Sequence, residues 1–183
     1  IGTRIPVAAG LAVIAGGLAF GATTEIGDGY GHTAIWLAIV GFGVGLALAP
    51  SMEAVLGELP TDESGSGTAL TMTLRQVGGA LGVALLGSVL AHAYQDRLDL
   101  TGLPGATAAA VRDSVASAVA LAGRLQAPAL AADAQAAYVA GMDVVLLVCA
   151  AIALLGAAIV AVALPARAAD PASESGHELS RAA

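Results

Sequence analysis

One arginine, Arg75, stands inside a stretch that is otherwise apolar, small or hydroxylic, GTALTMTLRQVGGALGVALLGSVLAH over 67–92. Placing a guanidinium in hydrocarbon costs at least about 2.5–3.5 kcal/mol even on lenient scales, so it needs a partner or a wet cavity. Glu53 offers one. The acidic connection GELPTDESGSG turns near Glu63, and Glu53 precedes that turn by about as many residues as Arg75 follows it. The two therefore sit at similar depth on sequential helices. A coupling or gating ion pair is the functional reading; a structural pair, or snorkelling to the headgroups, is the plainer one. Gln76 suits a helix–helix hydrogen bond better than a substrate contact. Asp143 opens the last apolar window and could titrate in a proton path, although an acid at that position more commonly marks the interface.

Other chemistry finds little footing. Gly41, Gly43 and Gly45 have the spacing G-x-G-x-G, but they lie in the middle of an apolar window with no strand before them and no helix starting after them, which is helix packing rather than a dinucleotide loop. His32 and His92 lack a third ligand and the carboxylate spacing of a zinc site. The single cysteine, Cys149, has no partner for a disulfide. No Ser-His-Asp set or carboxylate pair stands out, so neither an enzyme nor a cofactor or metal site is expected. A net charge of -7 without any lysine argues against nucleic acid, which needs clustered cations.

The elements that hold these residues are membrane helices. Apolar residues make up 57% of the 183, and charged ones only 11%; the mean hydropathy is +0.84, well above that of soluble domains. Four windows lack Asp, Glu, Lys and Arg: 5–24, 29–52, 76–95 and 144–166. Each has the length a helix needs to cross about 30 Å of hydrocarbon. The first has neither a basic lead nor an end before the next span, and so reads as a span rather than a signal peptide. With capping and turn signals added, spans are expected at about 5–24, 33–56, 67–92 and 140–164, within a transmembrane region 1–166. The fold class is all-α and polytopic, with the lipid bilayer as solvent.

Small residues mark the packing faces. Gly17 and Gly21 form a small-xxx-small pair in the first helix. In the second, Gly41, Gly45 and Ala49 make one stripe and Gly43 and Ala47 the opposite one, and Pro50 should bend the helix. The third carries Thr71, Arg75, Gly78 and Gly82 on one face, with Gly79 beside them, and Ala80, Ala84, Gly87 and Ala91 on another. Asp62 and Ser64 are N-cap candidates for it. Charges punctuate the loop at about 93–139, where Val111, Val115, Ala118, Val119 and Ala122 recur at helical spacing between Pro104 and Pro128, predicting one amphipathic helix. A second helix is expected over 130–140, leading into the last span, which Pro165 should end; 167–183 reads as a disordered tail. If the spans alternate, Phe20, Tyr30, Trp36, Tyr94 and Tyr138 fall near one membrane surface, where interfacial aromatics collect.

GFGVGLALAP (41–50), the acidic loop, GTAL (67–70) and RQVGGALGVALLG (75–87) together resemble the last helices of the fourteen-span drug:proton antiporters of the major facilitator superfamily; GTRIPVAAG (2–10) resembles the start of that family's eleventh helix. The resemblance implies that these are helices eleven to fourteen of a proton-coupled drug or metabolite exporter in a bacterial plasma membrane. Both chain ends would be cytoplasmic, and the long loop external. It further implies partners: the missing N-terminal transporter helices, protons, and a small hydrophobic or cationic substrate. Arg75, Gly78, Gly79 and Gly82 correspond to its packing motif, as conformational residues. The family's coupling acids lie in the half absent from this chain, so the chain alone should not transport. The rival reading is a small four-helix membrane protein with a structural or partner-binding role. A soluble Ala-rich bundle conflicts with the four ion-free windows.

Overall fold

The computed structural model describes residues 4–57 and 64–163, the side chains of 53–57 and 64 excepted. Six helices follow one another: α1 (Arg4–Gly21), α2 (Tyr30–Gly57), α3 (Ser64–Asp96), α4 (Gly105–Asp113), α5 (Val115–Leu125) and α6 (Pro128–Ala163). Of these, α1, α2, α3 and α6 are long and apolar enough to cross a bilayer, in line with the all-α membrane class read from sequence. At 1.5 Å per residue α3 and α6 measure about 50 and 54 Å, some 20 Å more than the hydrocarbon needs. The surplus of α6 lies at its N-terminal end, where it meets the short helices.

Close packing in the membrane helices is made by glycine. α1 packs against both α2 and α6. A Cβ built on Gly10 would lie 2.8 Å from the Ala47 nitrogen and the Gly43 carbonyl oxygen, and one on Gly43 would lie 2.8 Å from the Gly10 oxygen and the Ile14 nitrogen. Gly17 meets Val40 and Gly21 meets the Trp36 ring in the same way. Backbones approach this closely because lipid supplies no hydrophobic drive between helices, leaving van der Waals contact to hold them. At the other seam, between α3 and α6, Gly141 lies under Leu90 and Tyr94.

The cap outside the span has a conventional core. Val111, Ala118 and Ala134 are fully buried, with Leu98, Leu103, Leu121 and Leu130 packed around them, because here water drives apolar surface together. The single amphipathic helix expected between Pro104 and Pro128 is two. Ser114 is extended (φ -163°, ψ 153°) and its hydroxyl oxygen accepts from the Ser117 N–H, capping α5 afresh. α5 closes on Gln126 in the left-handed region (φ 53°), whose N–H bonds the Ala122 carbonyl. The helix expected over 130–140 is continuous with the last span; Pro128 begins α6, where its missing N–H is harmless.

Two ends also differ from expectation. α1 stops at Gly21 rather than Thr24, since the Thr23 and Thr24 hydroxyls donate to the Phe20 and Gly21 carbonyls at 2.8 and 2.6 Å. α2 begins at Tyr30 rather than at 33, with Pro50 inside it. The N-cap expected at Asp62, the stop at Pro165 and the tail 167–183 lie outside the described residues.

Candidate functional site

α2 and α3 touch each other little compared with α1 and α2. Between them opens a cavity of about 370 Å³. Its apolar wall comes from Ile14 of α1 and from Val44, Ala47, Leu48 and Met52 of α2; its polar edge is Ser51 with Thr71 and Arg75 of α3. Helical geometry explains the grouping: Val44, Leu48 and Ser51 follow one face of α2 at steps of four and three, and Thr71 and Arg75 stand one turn apart on α3. The two hydroxyls are spent locally, Ser51 donating to the Ala47 carbonyl at 2.5 Å and Thr71 to the Gly67 carbonyl at 2.8 Å. Ser51 thereby sits beside Pro50, where the helix has lost a donor.

Arg75 is exposed and makes no ion pair among the described residues. Glu53, its sequence-expected partner, belongs to α2, but its side chain lies outside the described residues. Gln76 is exposed beside Arg75, without a hydrogen bond among the described residues. Asp143 lies far along α6; its Oδ1 is buried without a hydrogen-bond partner among the described residues.

The packing glycines divide. Gly43, with Ala47, forms the α2 stripe that meets α1, whereas Gly41 and Gly45 have nothing within 4 Å of a built Cβ. Gly78, Gly79 and Gly82 are equally open. α3 instead meets α6 through Leu90 and Tyr94. Pro50 is half-buried. Sequence reasoning missed Gly10 and Gly141 as contact glycines; their signal was a small residue opposite a bulky or equally small one, which a single helix cannot display.

At the opposite end the aromatics have several jobs. Trp36 covers Gly21, and Phe20 packs against His32 with ring centroids 4.7 Å apart and the planes tilted by 41°. Tyr94, expected among interfacial aromatics, is only 4% exposed, and its hydroxyl donates to the Val111 carbonyl at 2.8 Å. It fastens the cap to α3. His32 pairs weakly with Asp28 at 4.0 Å, and His92 stands 3.6 Å from Asp96 one turn on. Among the described residues no three His, Cys, Asp or Glu side chains gather as a metal site.

No family model matches the chain. Among curated proteins it is similar to the tetracenomycin C resistance and export protein of Streptomyces glaucescens, 30% identical over 177 residues, covering 91% of this chain and 32% of that protein. It is 29% identical over 129 residues to the multidrug efflux pump LfrA of Mycolicibacterium smegmatis, covering 68% of this chain and 26% of the pump. A third relative, the uncharacterized MFS-type transporter YhcA of Bacillus subtilis, is 35% identical over 60 residues, 33% of this chain and 11% of that transporter. The chain thus spans about a third or less of the length of these relatives. By name these bacterial relatives are a resistance and export protein, a multidrug efflux pump and an MFS-type transporter, in line with the resemblance to major-facilitator drug antiporters.

Proposed function

We propose that this homologue of major-facilitator drug efflux transporters forms the C-terminal part of a proton-coupled exporter, contributing packing and conformational-change helices to an alternating-access bundle. The observation that carries this reading is the similarity to an export protein along 91% of the chain. The geometry supports it: α3 presents Gly78, Gly79 and Gly82 to empty space, as a helix does when its neighbours belong to another part of the bundle. On this reading the N-terminal helices supply the missing neighbours and the membrane-embedded acids that carry protons. Both ends of this chain face the cytoplasm of a bacterial cell, the α4–α5 cap lies outside, and the cargo is a small hydrophobic compound. Arg75 holds one conformation of the α2–α3 pair, with Glu53 as its partner. The rival reading, a self-contained four-helix structural protein, is not favoured by relatives that are transporters.

The test is efflux from proteoliposomes carrying the product of the whole coding sequence around this chain, with and without an imposed proton gradient. Efflux that follows the gradient is expected, and none from residues 1–183 alone. Efflux indifferent to the gradient removes the proton coupling; efflux by residues 1–183 alone removes the partial role.

A further inference from the structure

We infer that the cavity between α1, α2 and α3 is a cargo subsite for amphiphiles bearing an acidic group, with Arg75 as the residue that receives the anion. The inference rests on the exporter reading and deepens it, since it names the charge of the cargo. Drug-sized ligands occupy clefts of about 300–1,000 Å³ that are mostly apolar with a few placed polar groups. This cavity has about 370 Å³, room for a small aromatic body. Ile14, Val44, Leu48 and Met52 offer that body an apolar wall, and Met52 adapts its shape to flat rings.

The charge of the subsite is set by one residue. Arg75 is the single charged side chain among the described residues that line the cavity. Ser51 and Thr71 have committed their protons to backbone carbonyls, so the guanidinium supplies the strong donors. Its planar fork matches the oxygen pair of a carboxylate or a sulfonate. A guanidinium beside an apolar wall repels a cation and gains most from an anion. A cationic drug, one of the two cargo kinds (hydrophobic or cationic) that the family resemblance implies, would meet repulsion at this wall. Glu53 and the bound anion then compete for the same guanidinium, so that arrival of cargo releases the pair proposed above.

The test uses the whole transporter in lipid nanodiscs and two dyes of nearly the same body, anilinonaphthalene sulfonate and N-phenylnaphthylamine, which differ by the sulfonate. Saturable binding above that of empty nanodiscs is measured for each. The wild type is expected to prefer the sulfonate dye, and Arg75→Gln to lose about 10- to 30-fold in affinity for it, as loss of a charged hydrogen bond predicts, with the neutral dye unchanged. Arg75→Lys should keep part of the preference, and Glu53→Gln should strengthen sulfonate binding. Should Arg75→Gln not fold, the wild-type preference and the Arg75→Lys variant decide the matter. Equal binding of the two dyes by the wild type, or equal losses for both in Arg75→Gln, overturns the subsite. So does displacement of the sulfonate dye by anionic phospholipid at bilayer concentrations, which would make lipid the occupant. If export of the neutral dye persists and ignores Arg75 while no sulfonate preference is found, the exporter reading stands and this inference falls. If binding shows the preference but neither dye is exported, the subsite stands and the exporter reading falls.

Discussion

Substituting Gly43 by alanine should loosen the α1–α2 seam, while the same change two residues on, at Gly45, should not. A Cβ at position 43 would lie 2.8 Å from the Gly10 carbonyl oxygen and the Ile14 nitrogen, both backbone atoms that cannot turn aside. Non-bonded heavy atoms settle near 3.5 Å or more, so the helices must part by roughly 0.7 Å along this contact. Separation does not stay local, because Gly10 and Gly17 hold the same seam at equally short distances. Overpacking of this kind costs about 1–3 kcal/mol, partly offset by the better helix propensity of alanine, worth up to about 1 kcal/mol. A net loss of about 1–2 kcal/mol is expected for Gly43→Ala, and a change between zero and a slight gain for Gly45→Ala, whose Cβ meets nothing within 4 Å. Reversible unfolding of residues 1–183 in bicelles, followed by Trp36 fluorescence, reads both: the tryptophan covers Gly21 on this seam. Equal stability of the two variants would falsify the seam.

Three further perturbations probe the cap and the cavity. Tyr94→Phe removes the bond to the buried Val111 carbonyl and should cost about 1–3 kcal/mol, seen as faster amide exchange through α4 and α5 while α1 is unaffected. Ser114→Ala removes the cap of α5 and should cost about 0.5–2 kcal/mol, with the loss confined to the first turn of α5 in the same exchange experiment; uniform loss through the cap would refute a local role. In the whole transporter, Arg75→Ala should lower export several-fold without lowering membrane insertion, and Glu53→Gln should act similarly on export of neutral cargo. Normal export by Arg75→Ala leaves snorkelling as a sufficient account of that residue.

The four spans were legible because desolvation of charge in hydrocarbon is so costly that an ion-free window of about 20 residues has few alternatives. The glycine stripes were legible as faces, yet not as contacts. Gly43 and Gly45 stand two residues apart in the same motif, and only the position of α1 decides that the first is covered and the second open. Tyr94 illustrates the same limit from the polar side. Its place at the end of a span suggests an interfacial ring, but α4, which brings back Val111 17 residues on, takes it into a core. The break at Ser114 was hidden because the apolar spacing runs through it unaltered; the signal was a hydroxyl residue three before another in SVAS, a weak cap signature beside strong periodicity. The cavity beside Arg75 could not be read at all, since it exists through the separation of two helices.

α3 is held at one end. At its C-terminal end Leu90 and Tyr94 grip Gly141, and the tyrosine hydroxyl ties in the cap. Toward its other end α2 gives it little contact, and Gly78, Gly79 and Gly82 have no neighbour in the described chain. Arg75 stands about 28 Å from Tyr94 along the axis, on the free side of those glycines. A helix fixed in this way responds to force near Arg75 by swinging or bending about its glycines, where propensity for helix is lowest. An ion pair or a bound anion at the guanidinium therefore acts through a long arm. If the proposed pairing and subsite hold, Arg75 and the open glycines act as one device: the arginine reports what fills the cavity, and the glycines allow the helix to move in answer while the cap stays closed on α6.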